Sequence, residues 1–135
     1  MTPRKFKTRS VPRGRYEAYL KKSREFLRSA ESALALGDWD AVGLNAVHAA
    51  ISAADALLVY YGGVRSAGDS HHDVAGLLRL HVRDDQISSK VQTLSKVLGY
   101  KHLSAYEDRE VTEAEARDAE KLARRFLEWA QARLV

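Results

Sequence analysis

The chain has 135 residues, of which 45% are hydrophobic, and a formal net charge of +4. This length fits one domain, and the absence of cysteine excludes disulfides, thiolate metal sites and thiol catalysis. The longest stretch without a charged residue is Ala41–Ala54, shorter than the roughly 20 apolar residues of a membrane-spanning helix. No apolar run follows the basic N-terminus, as it would in a secretory signal. We therefore predict a cytoplasmic protein that does not contact a membrane.

The positive charge is concentrated in the first 15 residues, which contain six basic residues and no acid. The rest of the chain holds 16 basic and 18 acidic residues. This pattern predicts a basic flexible arm over residues 1–15, poorly ordered up to residue 12 unless a partner holds it, followed by one folded domain over residues 16–135. Such an arm can bind nucleic acid through phosphate contacts, or it can be a solvated leader.

Apolar residues at steps of three and four predict two long helices in the first half of the domain. The first begins at Tyr16 and ends at Gly37, where glycine favours a helix C-terminus. Asp38 is placed to cap the second helix, which ends at Gly62-Gly63.

The second half predicts one short helix and two long ones. A glycine-rich loop runs to Ser70, which can form a capping box with Asp73 at the start of the short helix. The fourth helix covers about residues 87–106, and a second capping box, Thr112 with Glu115, begins the fifth. We find no strand pattern. The prediction is an all-α, up-and-down bundle of four long helices plus one short helix.

A polar stripe on the second helix is the first candidate site. Asn45, His48, Ser52 and Asp55 follow one another at steps of three and four, beside an apolar stripe. A half-buried Asp55 needs a partner, because an unpaired buried carboxylate is costly. The stripe is either a hydrogen-bond network, which can include the polar seam of a homodimer, or a ligand pocket. Asn45, His48 and Asp55 are therefore candidate binding residues.

The segment from Arg65 to Asp73 is the second candidate. Arg65 can hold phosphate through a bidentate fork, and His71 or His72 can move a proton near neutral pH. Together they could cleave RNA without a metal ion; alternatively, the histidines only occupy the capped first turn of the short helix. No pair among these residues and His81 has the i, i+4 spacing of a shared metal site, so we predict no metal and no cofactor.

The third cluster contains Lys101, His102 and Tyr106, near the end of the fourth helix. A cation at this position interacts favourably with the helix dipole. Since this helix should run antiparallel to the second, we predict that Lys101 and Tyr106 approach the polar stripe, with Asp55 as the ionic partner of Lys101. All three residues are candidate binding residues.

The order of these features resembles the HEPN domain over about residues 16–133. The matching pieces are Phe26-Leu27 with Ala30, the alanine-rich helix from Asn45 to Leu58 with Tyr60-Tyr61-Gly62, Ser70-His71-His72-Asp73 with Leu77-Leu78, Lys101 with Ala105-Tyr106-Glu107-Asp108, and Ala119, Ala123 and Phe126-Leu127. The resemblance implies a helical bundle that pairs as a homodimer and binds nucleotide or RNA. It also implies a component of a toxin–antitoxin or stress and defence system.

The resemblance leaves two alternative functions open. Active HEPN members are metal-independent ribonucleases with an arginine and a histidine a few residues apart, late in the domain and at the dimer interface. This sequence has Lys101 and Tyr106 at that position, and only Arg65 with His71 or His72 has the required spacing. The alternatives are therefore an active endoribonuclease toxin at Arg65, His71 and His72, and a non-catalytic adaptor that recruits a nucleotidyltransferase-like partner.

Overall fold

Five α-helices account for most of the computed structural model, which describes residues 6–68 and 71–134, with the backbone alone at residues 71 and 72. The helices are α1 (Tyr16–Leu36), α2 (Trp39–Gly62), α3 (His71–His81), α4 (Ile87–Tyr106) and α5 (Glu113–Arg133). A 3-10 turn, Arg13–Arg15, precedes α1, and two short strands, β1 (Thr8–Ser10) and β2 (Val64–Ser66), complete the fold. The predicted all-α bundle is confirmed.

The helix ends lie where their terminal residues predict them. Gly37 and Gly63 follow α1 and α2 in the left-handed conformation, with φ of 76° and 62°, which glycine adopts without a steric penalty. At the start of α5, Thr112 accepts a hydrogen bond from the amide of Glu115, and the Glu115 carboxylate accepts one from the amide of Thr112. This capping box is confirmed.

The two other predicted caps have different outcomes. Asp38 does occupy the N-cap position of α2, but its side chain makes no capping hydrogen bond to a described amide, so the side-chain role is wrong. Its backbone conformation, with ψ of 75°, is not the extended one in which an N-cap side chain usually reaches back to the first turn. The predicted box of Ser70 and Asp73 includes Ser70, which lies outside the described residues.

The centre of the bundle is α2, which packs against α1, α3, α4 and α5. Its many alanines let neighbouring helices approach closely; the Ser23 hydroxyl of α1, for example, donates a 2.6 Å hydrogen bond to the carbonyl of Ala49. By length and composition α2 could cross a membrane, with a mean hydropathy of 1.5 over its most apolar window, although the sequence suggested that no segment could. Because 78% of that window is buried inside the bundle, the core accounts for its apolar character.

A two-stranded antiparallel sheet attaches the N-terminal segment to the bundle. Arg9 of β1 lies opposite Arg65 of β2, and the amide of Val11 donates a 2.8 Å hydrogen bond to the carbonyl of Gly63. Hydrogen bonds between paired strands fix which residues lie opposite one another. The pairing therefore holds the arm beside the end of α2.

This sheet corrects two predictions from the sequence. Residues 1–12 were expected to be poorly ordered unless a partner holds them, and residues 62–70 to form a loop, but β1 and β2 lie in these two segments. Three-residue strands are too short to show alternation, and their pairing joins segments that are far apart in sequence. The ring of Phe6 adds an anchor, because it fills the space that a side chain at Gly76 of α3 would need. Residues 1–5 lie outside the described residues.

Candidate functional site

A groove between α1 and α2 brings together residues from two of the three predicted clusters. Its volume is about 560 Å³. It contains the whole polar stripe, Asn45, His48, Ser52 and Asp55, and Arg65 from the predicted catalytic set. The other lining residues are Tyr19, Lys22, Glu25, Phe26, Ser29 and Ile51. We call this cavity the α1–α2 groove.

An ion pair lies at one end of the α1–α2 groove. The Nη2 atom of Arg65 donates a 3.2 Å hydrogen bond to Oδ2 of Asp55. The Asp55 side chain is 7% exposed and that of Arg65 is 29% exposed, so the arginine is the more exposed member of the pair. Burial raises the pKa of Asp55 above its ordinary value of 3.8, although the charge and hydrogen bond of Arg65 act in the opposite direction.

Arg65, rather than the predicted Lys101, is thus the ionic partner of Asp55 in the structure. Lys101 and Asp55 lie at different halves of α2, which explains why they do not pair. The Ser104 side chain of α4 lies against Gly43, near the start of α2, so α4 runs antiparallel to α2 as predicted. Lys101, one turn before Ser104, is therefore beside the first half of α2, whereas Asp55 lies in its second half. The chain reverses at Gly63 and brings Arg65 back to that level.

Aromatic rings line the α1–α2 groove. The Arg65 guanidinium is 4.9 Å from the centroid of the Tyr19 ring, a cation–π distance. Farther along, the rings of Phe26 and His48 are 5.2 Å apart and inclined by 32°. Charged donors and aromatic rings are therefore arranged along one cavity.

A second cavity, of about 470 Å³, adjoins the groove on the side of the N-terminal arm. The two cavities share Tyr19 and Lys22. The arm contributes Arg9 and Arg15 to the second one, whose other lining residues are Ser10, Val11, Pro12 and Ala18. We call it the arm pocket. Arg9 and Lys22 are close enough to Asp55 that their charges lower its pKa, in opposition to burial.

The third predicted cluster forms a separate, local arrangement. His102 and Glu107 lie 2.9 Å apart, and the His102 ring is 5.6 Å from that of Tyr106, which is 70% exposed. Neither these residues nor Lys101 is among the described residues that line the α1–α2 groove. That Lys101, His102 and Tyr106 bind a ligand stays a prediction.

The predicted catalytic set cannot be assembled from the described side chains. Arg65 lies in the groove, but the side chains of His71 and His72 are outside the described residues. Within the described ranges, no group of three or more His, Asp or Glu side chains could hold a metal ion.

Sequence reasoning missed the contribution of α1 and of the arm. Tyr19 and Lys22 are three residues apart, so they share a helix face, and this spacing could have identified them beside the polar stripe. For Arg9 no local signal exists, because only its pairing with Arg65 brings it to the site.

The fold and its polar groove define a small helical bundle whose first two helices enclose the candidate site. The HEPN domain family model matches residues 16–133, and the chain belongs to this family. Among solved structures, it is similar to TT1696 from Thermus thermophilus, with a TM-score of 0.69 and 24% identity, over 89% of this chain and 98% of that one. It is also similar to ST0689, an archaeal HEPN homologue, with a TM-score of 0.67 and 17% identity over the same shares. None of the curated proteins compared with the sequence matches it.

Proposed function

We propose that this HEPN protein binds nucleotide or RNA in the α1–α2 groove. The observation that carries the proposal is the meeting of Arg65 and Lys22 with the rings of Tyr19, Phe26 and His48 in one cavity. Guanidinium and ammonium groups bind phosphate oxygens, and aromatic faces stack on bases. A groove that offers both suits a nucleotide or a single strand better than a duplex, whose bases are already stacked.

Asp55 supports this role although it is an acid. Its side chain is almost fully buried, and its hydrogen-bond partner Arg65 is the more exposed of the two. An approaching phosphate therefore meets the guanidinium first, while the carboxylate holds the guanidinium in place. We assign Asp55 to positioning Arg65, and Lys22 and Arg65 to ligand contact.

The test is the affinity of the full chain for labelled single-stranded RNA and for labelled nucleotide, measured by fluorescence polarisation. Lys22→Ala should weaken binding about two- to fivefold, the effect of removing one exposed ionic contact. Lys96→Ala is the matched control, because it removes one exposed ammonium from α4, at a residue that is not among the described lining of the groove. Binding should also weaken as salt rises. Equal losses for the two lysine variants, or no binding by the native chain, would contradict the proposal.

The setting we propose is a toxin–antitoxin or stress and defence system in the cytoplasm, with the protein acting as a homodimer. Membership of the HEPN family supports this setting, and a domain of this size gains stability from a partner subunit. Light scattering should report a dimer at micromolar concentration. Co-purification with a nucleotidyltransferase-like protein would instead favour the adaptor role.

A metal-independent ribonuclease is the second candidate, because an imidazole and a guanidinium, those of His48 and Arg65, line the same groove. His48 could act as a general base, and Arg65 could stabilise the charge that develops on the phosphate. Cleavage of RNA in the presence of a chelator, lost in His48→Ala and in Arg65→Lys, would favour this activity. Loss in His71→Ala or His72→Ala alone would place the base at the start of α3 instead.

A further inference from the structure

The α1–α2 groove and the arm pocket differ in charge. The groove contains two carboxylates, those of Glu25 and Asp55, as well as its cations. The arm pocket is lined by three cations, those of Arg9, Arg15 and Lys22, and by no acid among the described residues. A concave surface with charge of one sign attracts the most highly charged part of a ligand. The two cavities therefore suit two different parts of one molecule.

The cations of the arm pocket are positioned by the fold. Pairing of β1 with β2 places Arg9 opposite Arg65, and the Phe6 ring against Gly76 anchors the start of the segment. Arg15 ends the 3-10 turn that leads directly into α1. The basic arm, considered from its sequence as a possible flexible leader, is thus one wall of the candidate site.

We infer that the arm pocket binds the phosphate chain of a nucleoside polyphosphate group, while the α1–α2 groove holds its nucleoside. This inference rests on the proposed function and names the ligand class. Each exposed cation contributes little by itself, so three of them favour a ligand that places several negative charges within one pocket. A di- or triphosphate does so, whereas a single phosphodiester of an RNA chain does not. The group can belong to a free nucleotide or to the 5′ end of an RNA, which carry the same chemistry.

The experiment compares ligands that differ in phosphate number or in the presence of the nucleoside. The full chain is titrated calorimetrically, in chelator, with AMP, ADP, ATP and inorganic triphosphate. The same RNA oligonucleotide is then compared with a 5′-hydroxyl, a 5′-monophosphate and a 5′-triphosphate. Affinity should rise from AMP to ATP, and ATP should bind more tightly than inorganic triphosphate. A gain in affinity from 5′-monophosphate to 5′-triphosphate RNA that exceeds the gain from AMP to ATP would assign the group to an RNA end; the reverse would assign it to a free nucleotide.

Arm variants test the location of the phosphates. Arg9→Ala and Arg15→Ala should each weaken ATP binding about three- to fivefold and AMP binding less than about twofold. Lys7→Ala is the matched control, since it removes one charge from the same arm at a residue that is not among the described lining of the pocket. Phe6→Ala removes no charge, yet it should weaken ATP binding by loosening the strand that carries Arg9. Circular dichroism verifies that each variant keeps its helices.

Failure of the inference and failure of the proposed function give different results. If AMP or 5′-hydroxyl RNA binds but added phosphates bring no gain, the inference is wrong and the proposed function stands. If inorganic triphosphate binds as tightly as ATP, the groove does not hold the nucleoside and the inference is wrong. If no nucleotide or RNA binds, both are wrong. A loss of ATP affinity in Lys7→Ala as large as that in Arg9→Ala would also overturn the inference, because it would indicate non-specific electrostatic attraction.

Discussion

The α1–α2 groove and the turn between α4 and α5 both hold charged clusters, but the partners are arranged differently. In the groove, residues from α1, α2, β2 and, at its edge, the arm meet around a buried carboxylate. In the turn, the ion pairs His102–Glu107 and Arg109–Glu115 join residues close in sequence, and they are largely exposed. The comparison shows that an ion pair between neighbours in sequence stabilises only its own turn. Charged residues from distant segments instead line a cavity, and together they determine its charge.

The largest effect should come from breaking the buried pair of the groove. Arg65→Ala leaves the Asp55 carboxylate buried without its partner, and we expect the free energy of unfolding at pH 7 to fall by about 3 kcal/mol. Replacing both residues, in Asp55→Asn with Arg65→Ala, should restore most of the loss, because no charge is then left buried. Thermal and denaturant melts of the single and double variants provide the measurement. Additive losses would mean that the pair does not act as a unit.

The same variant has a characteristic pH dependence. Because burial raises the pKa of Asp55 in the folded state above its unfolded value, folding favours the protonated form. Ionisation of Asp55 therefore costs stability as the pH rises through the raised pKa, and the cost disappears below the unfolded pKa. The difference in the free energy of unfolding between Arg65→Ala and the native chain should shrink as the pH falls toward 4. A difference that stays constant between pH 7 and pH 4 would contradict the role of Asp55.

A smaller effect is expected at the capping box beside the turn. Thr112→Ala removes the side chain that accepts from the Glu115 amide, and it should lower the free energy of unfolding by about 1 kcal/mol. The hydrogen bonds from Arg109 and from the Thr112 amide lower the pKa of Glu115 to about 2. A lowered pKa stabilises the folded state above the unfolded value, and this stability is lost as the pH falls from about 4.5 toward 2. In Glu115→Gln the free energy of unfolding should depend less on pH in that window. An unchanged pH dependence would count against the cap.

The smallest effect is expected for the exposed pair of the turn. His102→Ala and Glu107→Gln should each change the free energy of unfolding by less than about 1 kcal/mol, because solvent screens the pair. Neither variant should change binding of RNA or nucleotide in the α1–α2 groove by more than about twofold. A large loss of affinity in His102→Ala would show that this end of α4 is a binding site in its own right, as the sequence suggested.

Local signals in the sequence predicted most of the fold. The bounds of α1 and α2 follow from apolar periodicity together with Gly37 and Gly63, and the start of α5 follows from Thr112 and Glu115. The caps act within about one helical turn, and the periodicity lies within a single helix, so both can be recognised without knowledge of the rest of the chain. The small sheet was missed because β1 and β2 are too short to show a pattern and stabilise each other only when paired.

The candidate site was predicted only in part, for a related reason. The sequence by itself placed Asn45, His48 and Asp55 on one face of a helix, because helical spacing alone brings residues three and four apart together. It also indicated that a buried Asp55 would need a cation. Only the tertiary structure decided that the cation is Arg65, and that Lys22 and Arg9 are nearby. Coulombic pairing depends on distance in space, and that distance was determined by the reversal at Gly63 and the pairing of the arm with β2, neither of which a local pattern encodes.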